Sequence, residues 1–146
     1  MPGSDRPALN TKLETTPMTI ELQMLAGSIV LGLVHVLVAA GFSTAQRGLA
    51  WNAGNRDGAV PPLTGAAQRL SAASRNFLET FPFFAAAVLA VVLAGRADAT
   101  TALGAQLYLW ARVAYLPVYG IGIPYLRSAI WTVAIVGLVM VLAGLF

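Results

Sequence analysis

Arg75, Asn76 and Glu79 stand at the head of the stretch RNFLETFPFF, which passes directly into the apolar run AAAVLAVVLAG. At 100° per residue Arg75 and Glu79 share a helix face, with Asn76 and Arg69 farther round it. A second set follows: Tyr108, Arg112, Tyr115 and Tyr119 recur at i, i+4, i+7 and i+11, a narrow helical stripe. Arg127 and Ser128 form a third. Arginine's planar fork suits carboxylates, and a carboxylate such as Glu79 suits an amine. With Arg75, Arg112 and Arg127 set against Glu79, the cluster is electropositive and fits an anionic ligand. Each residue alone also has a structural reading. Arg75 and Glu79 could pair with each other, Arg112 could extend to lipid headgroups, and the tyrosines could be interfacial packing. Taken together, unpaired cations in a dry bundle are hard to justify by packing alone.

The elements that position these residues follow from composition. Of 146 residues, 58% are hydrophobic and 10% charged, with a mean hydropathy of +0.73. A soluble domain carries roughly 25% charged residues, so this chain cannot cover a globular surface with polar groups. A spanning helix needs ~20 mostly apolar residues. Four segments qualify: about Leu22 to Ser43, Ala66 to Ala94, Thr100 to Tyr119 and Arg127 to Phe146. One long loop and two short ones connect them. Short loops make neighbouring helices antiparallel. The expectation is all-α, an integral membrane four-helix transmembrane bundle spanning residues 18–146, preceded by a polar, disordered tail over 1–17. The apolar runs are far longer than the ~10 alternating residues of a barrel strand. Pro82 is expected to bend the second long helix, and Pro117 to kink the third or end it early.

The absence of cysteine excludes disulfides and thiolate metal sites, and a single histidine makes no zinc site alone. That histidine, His35, reads as a hydrogen-bonder between helices, and Gly27 and Gly32 as close-packing positions. No basic helix or basic-aromatic stripe points to nucleic acid. Arg47, Arg56, Arg69 and Arg127 gather at the long-loop side, against Arg96 and the tail residues Arg6 and Lys12 on the other. The positive-inside rule then puts the long loop in the cytoplasm, with Trp51 as an interfacial anchor. Arg56 and Asp57 read as a local ion pair.

The stretch RLSAASRNFLETFPFF, followed by ARVAYLPVYGIGIPYLRS, resembles the MAPEG family. These are membrane-associated proteins of eicosanoid and glutathione metabolism, among them microsomal glutathione transferases, leukotriene C synthase and microsomal prostaglandin E synthase. The resemblance runs from Met18 to the C-terminus, and WNAGNRD and PPLTG resemble the loop of bacterial members. It implies a four-helix protomer, a homotrimer, and glutathione bound as co-substrate between subunits near the cytoplasmic face, here of a bacterial inner membrane. Carried over, Arg75, Asn76 and Glu79 match glutathione contacts of the second helix, the glutamate facing the γ-glutamyl amine. Arg112 and Tyr119 match site positions of the third helix, and Tyr115 stands where some members have histidine. Arg127 and Ser128 match the catalytic residues near the thiol, and Arg47 an arginine given by the neighbouring subunit. Ala72 replaces an arginine found in some members, and Trp131 a tyrosine, which bears on eicosanoid-type substrates more than on glutathione.

A chain without cysteine must borrow any reacting thiol. The function the resemblance implies is a glutathione-dependent transferase or peroxidase acting on a lipophilic electrophile or hydroperoxide that arrives from the bilayer. Two alternatives stand beside it. One is a non-catalytic membrane subunit that serves as a scaffold in a larger complex. The other is a proton or ion pathway, disfavoured because no repeat or broken helix is visible.

Overall fold

The computed structural model describes residues 17–56 and 58–146. Residues 1–16 of the expected tail therefore lie outside the described residues, as does Asp57, the expected partner of Arg56. The described chain is helical: α1 Ile20–Arg47, α2 Leu49–Ala53, α3 Gly65–Leu93, α4 Ala99–Ile121 and α5 Pro124–Ala143. Three of these, α1, α3 and α5, are long and apolar enough to cross a membrane. At 23 residues α4 has the length, but Gln106, Arg112 and its tyrosines dilute its apolar character. The protein is an all-helical membrane bundle.

The helix ends follow local chemistry. Thr19 caps α1 by accepting from the Leu22 amide, and Glu21 in the first turn suits the helix dipole. Asp98 caps α4 in a reciprocal capping box with Thr101. That helix stops at Gly122, whose φ of 92° lies in the left-handed region open to glycine. The last helix begins at Pro124 rather than at Arg127, because proline at the first helical position lacks only an amide that would be unpaired anyway. Arg127 thus sits one turn inside α5, its amide bonded to the Ile123 carbonyl at 3.1 Å. Pro82 lies within an unbroken α3. Pro117 does not end α4, which runs on to Ile121.

The long loop is more ordered than its composition suggests. It contains α2, tied back by Asn52 Nδ2 donating to Thr44 Oγ1 at 2.8 Å. The Gln46 amide clamps Thr64 twice, donating to its hydroxyl at 2.6 Å and accepting from its main-chain N–H at 3.1 Å. Arg69 Nε donates to the Gly120 carbonyl at 2.8 Å, which joins the start of α3 to the end of α4. At the opposite end Thr101 Oγ1 donates to the buried Glu21 carboxylate at 2.6 Å.

Each of α3 and α4 touches all three other long helices, whereas α1 and α5 flank the pair and do not meet. Residues on α3 and α4 therefore meet in the middle of the bundle. The outer surface is apolar, with Leu37 and Phe83 each 69% exposed, as a lipid-facing surface requires. The interior is closed by small residues. A Cβ on Gly32 would lie 2.9 Å from Phe77, and one on Gly27 3.0 Å from Leu109, so both glycines pack closely as their positions suggested. The tightest crossing is elsewhere: a Cβ on Gly137 would fall 2.5 Å from the Gly104 carbonyl oxygen and 2.7 Å from the Tyr108 amide. At this point α4 and α5 meet backbone to backbone, the arrangement small residues permit in membrane helices. Gly41 faces open space. Gly137→Ala should therefore cost about 1–3 kcal/mol by overpacking. Gly41→Ala should instead stabilise by roughly 0.5–1 kcal/mol through helix propensity. Opposite shifts in a detergent unfolding transition check the pair.

Candidate functional site

The centre of the site is Arg112, which is completely buried. Its Nη1 donates to Asn76 Oδ1 at 2.8 Å and its Nη2 to Thr80 Oγ1 at 2.6 Å. Asn76 and Thr80 lie at i and i+4 on α3, so one face of that helix presents both acceptors to α4. Thr80 Oγ1 also lies 3.3 Å from the Tyr108 hydroxyl. The guanidinium carbon sits 5.5 Å from the Tyr108 ring centroid and 5.4 Å from that of Tyr115, within cation–π range. Tyr108 is fixed in turn by stacking on Phe84 at 3.8 Å. The Nε of Arg112 has no partner. All its protein partners are neutral, so a full positive charge is held in the bundle by two hydrogen bonds and two aromatic faces.

Beside this lies a cleft of about 440 Å³. Tyr115 and Tyr119 of α4, Asn76 of α3, and Arg127 and Ser128 of α5 all line it, with Trp131 and Thr132 one turn farther along α5. Arg127 lies over the Tyr119 ring at 4.6 Å, and Tyr119 meets Tyr115 edge to face at 5.3 Å. Asn76 links the two features, since it holds Arg112 and also lines the cleft. The Ser128 hydroxyl donates to the Pro124 carbonyl at 3.2 Å. To serve a ligand it must rotate away from that carbonyl or accept through a lone pair. The arrangement offers an anion one guanidinium directly, that of Arg127, with phenol and hydroxyl groups beside it and the Arg112 charge behind Asn76.

Of the residues singled out in the sequence, Asn76, Tyr115, Tyr119, Arg127 and Ser128 come together in the cleft, with Arg112 held behind Asn76. Arg75 and Glu79 do not: both are exposed on α3, outside the cleft of their own chain. Among the described residues no ion pair joins them. Arg47 is also apart, its Nε donating to the Pro61 carbonyl at 2.9 Å. Two contributors, Thr80 and Thr132, went unnoticed in the sequence, and Trp131 was noted only as a departure from the family's tyrosine. Thr80 carried a signal, lying i+4 from Asn76, and Trp131 and Thr132 lie at i+4 from Arg127 and Ser128. His35 does not hydrogen-bond between helices. It is fully buried, stacks on Phe77 at 4.7 Å, and neither ring nitrogen has a partner.

Replacing Thr80 by valine keeps the shape and removes the acceptor of a charged donor. Such bonds contribute about 1.5–3 kcal/mol, so Thr80→Val should destabilise by that amount in chemical unfolding. Thr80→Ser, which keeps the hydroxyl, should recover most of it.

The MAPEG family model matches residues 24–146. No curated protein matches the chain significantly.

Proposed function

The chain belongs to the MAPEG family, and from that premise we propose that it is a membrane-embedded, glutathione-binding enzyme. In this reading it transfers glutathione to a lipophilic electrophile, or uses it to reduce a lipophilic hydroperoxide, as a homotrimer of four-span protomers. The observation that carries the reading is the pairing of Arg127, poised over Tyr119 in the cleft, with Arg112, a buried cation whose protein partners are all neutral. A tripeptide with two carboxylates, one ammonium and one thiol complements that field.

Bound glutathione supplies the sulfur nucleophile, which a chain without cysteine cannot supply itself. A free thiol has a pKa near ~8.5 and is mostly protonated at neutral pH. Arg127 beside the sulfur favours the thiolate electrostatically. The Tyr119 ring holds the guanidinium in place, and Ser128 is a hydroxyl within the same cleft. Arg112 fixes the Asn76 amide and adds positive potential behind it. Arg75 and Glu79, which face outward, reach a ligand that lies across the protomer boundary, whereas Arg47, held on the Pro61 carbonyl and over the Trp51 ring, is left out of the site. Two features support the wider frame. Because α4 packs along three membrane-competent helices, it shares their layer. Arg47, Arg56, Arg69 and Arg127 lie at one end of the bundle, which supports a cytoplasmic location for that end under the positive-inside rule.

The test is ultraviolet thiolate absorbance on adding glutathione to the purified protein, with turnover measured per folded assembly. The wild type should show a saturable thiolate signal. Arg127→Ala should lose that signal and roughly a hundredfold in turnover, the scale of removing one electrostatic stabiliser. It should still bind glutathione, because the peptide ends are held elsewhere. Glu79→Gln should weaken binding and leave the assembly folded. Near-wild-type turnover in Arg127→Ala would refute the catalytic role. A wild type that gives no signal and co-purifies with a stoichiometric partner would point to the scaffold.

A further inference from the structure

We propose that the connection between α1 and α3 is a headgroup-binding site for anionic phospholipid, separate from the cleft. Trp51 carries two guanidiniums against its ring, the Arg47 carbon at 4.7 Å from the centroid and the Arg56 carbon at 5.7 Å. Both side chains are oriented by neutral acceptors. Arg47 uses only Nε, on the Pro61 carbonyl, and Arg56 uses Nε and Nη2, on the Asn52 carbonyl and amide oxygen. Among the described residues, both Nη groups of Arg47 and Nη1 of Arg56 have no acceptor. Two guanidiniums oriented on one ring, with N–H groups that meet no acceptor among the described residues, fit the oxygens of a phosphodiester.

Arg56 is held there at a φ of 62°, a left-handed conformation uncommon outside glycine. The occupant is a lipid rather than a soluble anion because of where the pair sits. Arg47 is the last residue of a helix long and apolar enough to cross a membrane. Immediately after it, α2 exposes Leu49 at 72%. An apolar side chain, a tryptophan and two arginines at the end of a span match the hydrocarbon–headgroup boundary in order of polarity. Of the other arginines toward this end, Arg69 and Arg127 are engaged by the Gly120 carbonyl and the Tyr119 ring, and Arg75 lies ten residues into α3, away from Trp51. None of Trp51, Arg47 and Arg56 lines the cleft, so the inference stands whether or not glutathione binds there.

The experiment releases the full chain from nanodiscs of mixed phosphatidylcholine and phosphatidylglycerol and counts retained lipids by native mass spectrometry. The wild type should retain phosphatidylglycerol in preference to phosphatidylcholine. Each arginine near an anionic surface contributes about fivefold in affinity, so Arg56→Gln should reduce the preference by about that factor. Trp51→Ala should reduce it further, since both guanidiniums lose their platform. Thermal stability should be unchanged in Arg56→Gln, which alters an exposed side chain; if Trp51→Ala fails to fold, Arg56→Gln decides the matter alone. Inorganic phosphate at matched ionic strength should not displace the lipid. Equal retention of the two lipids by the wild type, an Arg56→Gln preference equal to that of the wild type, or displacement by phosphate would each overturn the proposal.

Discussion

A guanidinium buried in a membrane bundle without a carboxylate is the constraint around which this structure is arranged. Water is absent from the bilayer core, so a charge placed there must be met by protein. Arg112 is met by the Asn76 amide, the Thr80 hydroxyl and the faces of Tyr108 and Tyr115. These groups stabilise the cation without neutralising it. A carboxylate in their place would cancel the potential that an incoming anion feels. The polar residues of α3 that face Arg112 are uncharged, and the field they leave in place is the resource a ligand site needs.

The helix arrangement follows from that requirement. Arg112 can be surrounded only if α4 runs through the middle of the bundle, in contact with α1, α3 and α5. Close approach of α4 and α5 depends on Gly104 and Gly137, which let the backbones touch. The same crossing sets how far Arg127 and Ser128 stand from Tyr115 and Tyr119, about three to four turns along the same pair of helices. The left-handed Gly122 and the proline start of α5 make the turn short enough to bring Arg127 over Tyr119. Cleft geometry is thus a consequence of helix packing rather than of a flexible loop.

The fold was legible because long apolar runs admit few alternatives, and the stripe on α4 because spacings of four, three and four fix a helix face. Boundaries were less so. The start of α5 was placed at the first charged residue, whereas proline chemistry sets it at Pro124. On α3 the charged residues drew attention, yet Arg75 and Glu79 are exposed while the quieter pair Asn76 and Thr80 faces Arg112. Residue type reveals that a site exists; only the helical phase relative to neighbouring helices reveals which residues enter it. The Gly104–Gly137 contact and the stacking of His35 on Phe77 join different helices, and no single-chain periodicity pairs them.

Glu79 is the residue whose position asks most of its surroundings. With 29 residues, α3 is about 43 Å long at 1.5 Å per residue. The hydrocarbon layer is about 30 Å thick, so about 13 Å of the helix lies outside it. If all of that excess projects at the loop end, the layer begins roughly nine residues past Gly65, close to Arg75. Arg75 is then at the boundary and its long side chain reaches the headgroups. Glu79 is one turn deeper, on a side chain too short to do the same, and it is exposed in the isolated protomer. A bare carboxylate facing lipid there would carry part of the penalty that reaches about 2.5–3.5 kcal/mol at the bilayer centre. An amine from a ligand, or the surface of a neighbouring subunit, removes that penalty. The outward turn of Glu79, which removes it from the cleft of its own chain, is therefore the physical ground for placing the proposed glutathione site at the boundary between protomers.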